Sequence, residues 1–284
     1  MVRTYCRAVS GLREDHGDPD AAVLADHAPD GVLTLTFNRP ERRNGWAEDM
    51  EQGYYDLLVR AAADPDVRAV VVTGAGSTFC PGADLSRLGG LGAEGARLPH
   101  KPVDVPRQFP KPLIAAINGG CAGVGLVQAL FCHVRFAADT ARFSTAFARR
   151  GLIAEYGVAW TLQRLVGVEN AMDLLLSGRT VDAAEAKELG LVSRVVPRAD
   201  VLGAAQAYAG DLARNCSPRA MAVIAGQVLA DQEGSFDEAL ERSYIHADRF
   251  IGSADLREGV ASFLEKRPPR FAPLGSREST LRAP

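Results

Sequence analysis

The stretch Pro112 to Gly125, Pro-Leu-Ile-Ala-Ala-Ile-Asn-Gly-Gly-Cys-Ala-Gly-Val-Gly, carries the residue types from which a backbone binding site is built. It begins as a buried strand over Leu113 to Ile117, breaks at Asn118-Gly119-Gly120, and enters a helix through Gly123 and Gly125. A strand that becomes a helix through glycines leaves unpaired N–H groups aimed at one spot. Such a spot binds an anion, or a carbonyl oxygen on its way to becoming one. Glycine serves where a Cβ would block close approach or where φ is positive. A second exit of the same kind runs from Gly74 to Leu85 and ends in Pro81-Gly82-Ala83-Asp84-Leu85. Asp84 there suits the first turn of a helix. Two strand exits can each supply one N–H, and two convergent donors make an oxyanion hole where one does not.

Other readings of these glycines stay open at this level. One is a tight strand–helix connection with no chemistry. Another is a dinucleotide site, with Asp139 after a strand over Val134 to Ala138 as the ribose acid. The glycine order is G-x-x-G-x-G, however, and no G-K-[ST] is present. A third candidate group is Glu155, a carboxylate among apolar neighbours before Gly157 and an apolar helix over Val158 to Val166. Spacing alone leaves it as a helix-start cap or a general base, and favours the cap.

The five cysteines form no C-x-x-C pair, and the five histidines no H-x-x-x-H pair. That points to reduced thiols in a cytoplasmic protein and to no zinc site. Cys80 and Cys121 lie in glycine-rich turns, where buried filler is favoured over a catalytic thiol. His133, beside a strand, reads as structural.

These groups need elements to hold them. Strands are expected over Val32–Phe37, Ala69–Thr73 and Leu191–Val195, and a helix over about Ala47 to Ala63, closed by Asp64-Pro65. A helical region is expected from Phe147 onward, and a helix from Asp182 to Gly190. From residue 199 the chain reads as helices at 200–214, 218–232, 236–250 and 253–265. Residues 1 to about 28 are polar and expected to be loosely ordered, and 89–110 reads as a lid or a plain surface loop. The strand–glycine loop–helix unit recurs at 69–88 and 113–131, as a spiral of ββα units requires.

At 284 residues, with 47% hydrophobic and 24% charged residues, the composition is that of a soluble globular protein. A net charge of −3 gives no footprint for nucleic acid. No apolar run reaches membrane-span length, and Arg3, Arg7, Arg13, Glu14 and Asp15 interrupt any signal-peptide core.

Taken together, the motifs resemble the enoyl-CoA hydratase/isomerase, or crotonase, family over about residues 23–272. They are Leu35 to Asn44, Phe79 to Leu85, Pro112 to Gly125, Leu175 to Arg179 through Gly190-Leu191-Val192, and Glu258 to Arg267. The resemblance implies an α/β crotonase-like spiral of ββα units over 23–198, after an extension at 1–22. A helical region at 199–284 would then build trimers or hexamers. It implies an acyl-CoA thioester as substrate, no separate cofactor, and an oxyanion hole made by the N–H groups of Ala83 and Val124. It places Gly45, Gly82, Asp84 and Gly123 along the substrate and Arg42 and Arg43 along the CoA. Lys266 would reach a neighbouring subunit's CoA phosphate. Trp46, with Leu85, Leu88 and Phe147, would shape an acyl pocket. Solvated charge for the cations and an ordinary core position for Trp46 are the competing readings.

The departures carry as much as the matches. The family's hydratases use two glutamates, and those positions here hold Val127 and Phe147, which move no proton. Glu155 resembles the single carboxylate of the family's 3,2-enoyl-CoA isomerases, and this turns the balance from capping to catalysis. The expectation is an enoyl-CoA isomerase with Glu155 as its acid/base. A hydratase using Glu155, and a non-catalytic acyl-CoA carrier, are the alternatives.

Overall fold

Strands that are apolar along their whole length need cover on both faces. Ala69–Gly74 and Leu113–Ile117 are buried at every residue and occupy the middle of a six-stranded sheet. The computed structural model describes residues 18–84 and 103–275. The large sheet runs β1 (Val23–His27), β2 (Val32–Phe37), β3 (Ala69–Gly74), β5 (Leu113–Ile117), β7 (Val134–Ala138) and β10 (Arg194–Val196). All neighbours are parallel except β1, which pairs antiparallel to β2. A smaller sheet holds β4 (Thr78–Cys80), β6 (Gly120–Ala122), β8 (Arg142–Ser144) and β9 (Val181–Asp182).

Successive turns of chain give one strand to each sheet: β3 then β4, β5 then β6, β7 then β8. This is the spiral that the recurrence at 69–88 and 113–131 implies. The third turn, at 134–144, escapes the sequence because its two strands are joined without the glycine-rich exit that marks the other two. Helix α1 (Glu48–Ala63) follows β2 and carries Glu48, Asp49 and Glu51 in its first turn, which suits the helix dipole. Lys111 closes its other end, donating from Nζ to Ala61 O at 2.7 Å and Asp64 O at 2.6 Å. Burial lowers this ammonium to about pH 8.

Helix α2 (Val124–Phe131) follows β6 and is buried throughout. Helices α3 (Val158–Val166), α4 (Val168–Ser177) and α5 (Ala183–Glu188) follow the third turn. Helix α6 (Val201–Asn215) lies on the large sheet against β2, β3, β5 and β7. Beyond it α7 (Pro218–Asp231), α8 (Phe236–Phe250) and α9 (Ala254–Leu264) extend outward, each opened by a serine cap, and α8 buries no residue. The chain then returns, and Arg68 donates to Phe271 O at 3.0 Å.

Three expectations need correction. Residues 23–27 are not loose: they form β1, an edge strand paired antiparallel to β2 and only partly covered, with Ala25 and Asp26 exposed. The last strand is 194–196, not 191–195, because the N–H groups of Leu191 and Val192 both turn back to Ala186 O and close α5. The region from Phe147 holds only a short 3-10 turn, Ala148–Arg150, before α3. Gly151, Tyr156 and Gly157 have φ of 70°, 56° and 70°, which no right-handed helix accommodates. Residues 1–17, 85–102 and 276–284 lie outside the described residues.

Candidate active site

Asn44 fixes the entrance loop. It is fully buried at φ 59°, where asparagine is better tolerated than most side chains. Its amide donates to Ala75 O at 2.9 Å and Thr78 O at 2.6 Å, and its oxygen accepts from the Arg39 N–H at 2.9 Å. The loop after β2 is thereby fastened to the β3–β4 connection. Arg39 Nη1 donates to Gly45 O at 2.9 Å and meets Asp84 Oδ2 at 3.3 Å. Asp84 therefore has a guanidinium partner; the helix expected after it lies outside the described residues.

Trp46 and Ala83 form a parallel bridge: the Trp46 N–H donates to Gly82 O at 2.8 Å, and the Asp84 N–H to Trp46 O at 3.0 Å. Adjacent N–H groups of extended chain point to opposite sides, so the Ala83 N–H faces away from Trp46. It has no acceptor among the described residues. The Val124 N–H opens α2, where no helical acceptor exists, and it too has none among the described residues.

The two loops touch. Gly82 and Gly123 have φ of 110° and 52°, and a Cβ on Gly123 would lie 3.5 Å from Gly82 Cα. Gly125 serves closeness instead: a Cβ there would lie 2.2 Å from Cys80 O. The arrangement gives two N–H groups without an acceptor among the described residues, one on each of two abutting loops, beside the positive end of a buried helix.

Phe147 and Val127 are buried, so neither hydratase glutamate position offers a proton-transfer group. Glu155 is half-buried in the turn before α3, between Ala154 and Tyr156, which pack on the core. Helix α3 has Gly157 at its N-cap and no side-chain cap. Glu155 stands two residues before that N-cap position. Tyr156, in the left-handed region, carries backbone strain of the kind concentrated at functional turns.

Trp46 is 1% exposed and meets Phe37, Tyr54 and Tyr55 at centroid distances of 5.6, 6.1 and 6.3 Å. Arg42 and Arg43 are exposed at the end of the entrance loop, with Arg43 at φ 54°. Lys266 is exposed just past α9. Leu85 and Leu88 fall outside the described residues. Asp139 is a connector, not a ribose ligand: its Oδ1 accepts from the Arg198 N–H at 3.2 Å. Cys80, Cys121 and Cys132 are buried, and burial pushes the Cys80 and Cys132 thiols up to about 12, so they fill space as neutral groups.

Sequence reading missed Arg39, Asn44, Tyr55 and Gln128. Gln128 was visible as the one hydrogen-bonding side chain in Val-Gly-Leu-Val-Gln-Ala-Leu-Phe. The partners of the others come from distant segments.

The enoyl-CoA hydratase/isomerase family model matches residues 27–273. The 1,2-epoxyphenylacetyl-CoA isomerase of Escherichia coli (strain K12) is 36% identical over 259 residues, covering 87% of this chain and 97% of that protein. The crystal structure of an enoyl-CoA hydratase from Bacillus anthracis superposes with a TM-score of 0.82 at 31% identity, covering 88% of this chain and 99% of that one. An enoyl-CoA hydratase from Mycobacterium marinum shares 49% identity with a TM-score of 0.64, over 73% of this chain and 96% of that one. These relatives carry the crotonase fold, and the motifs that suggested it lie within the matched span. The chain belongs to the enoyl-CoA hydratase/isomerase family of enzymes.

Proposed function

We propose that this enzyme moves the double bond of an enoyl-CoA, with Glu155 as its single acid/base. The observation that carries this reading is the chemistry of the three glutamate positions. Val127 and Phe147 are buried and apolar, while Glu155 is a carboxylate in a half-buried turn beside the left-handed Tyr156. The thioester oxygen of a 3-enoyl-CoA would accept from the N–H groups of Ala83 and Val124. Glu155 would take a proton from C2, and the electron pair would delocalise through the old double bond onto that oxygen as a dienolate. The carboxylic acid formed would return the proton to C4, giving the 2-enoyl-CoA. Atoms and charge balance without water, metal or cofactor. One carboxylate suffices because removal and return occur one after the other.

A relative named as an isomerase supports the reading. Relatives named as hydratases favour a second one, in which Glu155 activates water for addition to a 2-enoyl-CoA. The paired assay separates them. Purified protein is given 3-enoyl-CoA and 2-enoyl-CoA of several lengths, and products are identified by mass. Conversion of the 3-enoyl to the 2-enoyl compound, abolished by Glu155→Gln, is expected. A product heavier by one water from the 2-enoyl substrate would instead assign the hydratase.

The same reading places the enzyme in cytoplasmic acyl-CoA metabolism, as a trimer or a pair of trimers. Phe236, Ile251, Phe263 and Leu264 are 72–82% exposed along the outward helices, a large apolar surface for a lone chain. Light scattering on the purified protein tests it, and a monomer would refute the assembly. Arg42, Arg43 and Lys266 are assigned to the CoA moiety, the last across a subunit boundary.

A further inference from the structure

One polar side chain on the buried helix that Val124 opens has an atom without a partner. Val124, Val127, Gln128 and Phe131 share a face of α2, by the spacing of three and four that brings side chains into line. Val124 is the proposed hole donor, and Val127 stands where the hydratases carry a glutamate. Gln128, next on that face, is 1% exposed. Its Nε2 donates to Tyr55 Oη at 3.1 Å, and Tyr55 Oη lies 3.4 Å from Val103 O, to which it directs its one proton. That fixes the amide orientation, because a hydroxyl with its proton committed can only accept from Gln128. Gln128 Oε1 then has no hydrogen-bond partner, and it is buried. Burial, with Glu51 and Tyr156 nearby, raises the Tyr55 hydroxyl well above its ordinary value, so it stays a neutral anchor. Tyr156 adjoins Glu155, so this cluster joins α1, the helix of the proposed hole and the turn of the proposed base.

A buried acceptor without a donor is costly, and native interiors fill such positions. We propose that Tyr55 and Gln128 form a polar end of the acyl pocket, and that the enzyme's acyl group carries a hydroxyl that donates to Gln128 Oε1. This rests on the acyl-CoA reading above and narrows its substrate class from plain to hydroxylated acyl chains. A keto or ether group would not serve, since each offers only acceptors. Four residues of helix separate Gln128 from Val124, on the order of 6 Å along the axis. The hydroxyl therefore belongs several carbons beyond the thioester.

The test uses saturated acyl-CoAs, which bind without reacting. A plain chain is compared by calorimetry with chains of equal length hydroxylated in turn from C5 to C8. One positional isomer is expected to bind on the order of 100-fold more tightly than the plain chain, as sites built around a substrate hydroxyl do. Gln128→Leu should bring that ratio toward unity. Tyr55→Phe, which keeps the ring and frees the glutamine, should reduce it. Equal affinity for every chain in the unaltered protein would overturn the proposal and leave a buried water at Oε1. A preference that survives both substitutions would overturn it too. Failure of the isomerase reading would show as no turnover of 3-enoyl-CoA and would leave this comparison intact; no binding of any acyl-CoA would remove both.

Discussion

Cys80 and Cys121 are paired in register on adjacent parallel strands of the small sheet, and each stands three residues before a proposed oxyanion donor. Chains that leave two neighbouring strands at matched positions, with equal offsets, deliver Ala83 and Val124 side by side. The contact between Gly82 and Gly123 is the point where the loops meet. The proposed hole would thus be a product of strand register, with the buried thiols as neutral packing.

Glu155→Gln removes the proposed base while keeping size and hydrogen-bonding capacity. Loss of kcat by about 10²–10⁴-fold is expected, the range for a positioned acid/base, with acyl-CoA affinity little changed. Steady-state kinetics beside calorimetry reads both. Unaltered turnover would remove Glu155 from the mechanism.

Gly123→Ala forces a side chain into positive φ against Gly82 and should twist the Val124 N–H off target. A fall in kcat of about 10²–10³-fold corresponds to loss of one hole donor. Gly125→Ala acts on the fold instead, because its Cβ would meet Cys80 O. Overpacking of this kind costs about 1–3 kcal/mol or more, which denaturant titration measures.

Asn44→Ala should destabilise by about 2 kcal/mol, since it removes three part-buried hydrogen bonds, to the Ala75 and Thr78 carbonyls and from the Arg39 N–H. It should also loosen the entrance loop carrying Arg42 and Arg43. Denaturant titration reads the first effect, and a raised KM for acyl-CoA the second. A variant of unchanged stability would refute the anchor.

His133 sets a pH limit on stability. Its Nδ1 accepts from the Leu113 N–H at 3.1 Å, and burial followed by Arg135 lowers the imidazole to about 4. The folded state therefore binds fewer protons than the unfolded one between about pH 4 and the ordinary histidine value near 6.5. Its contribution is whole above that value and is lost as pH falls toward 4. Unfolding midpoints at pH 7.5 and 5 should differ more for the unaltered protein than for His133→Gln. An equal difference would assign the acid sensitivity elsewhere.

What the sequence by itself determined is local. Apolar runs specified β3 and β5, and glycine-rich exits marked both loops of the proposed hole. These depend on residues adjacent in the chain. Absence of acid at Val127 and Phe147 was legible too, because a side chain's chemistry does not depend on its fold. The tertiary structure decided what depends on distant partners. It decided that Gly82 meets Gly123 and that Asn44 ties loops 31 and 34 residues apart. It decided that Glu155 stands in a turn beside the left-handed Tyr156 and that Gln128 finds Tyr55 but keeps one atom unmatched. β4, β6 and β8 are too short to declare a period, so only their pairing across the spiral makes them strands.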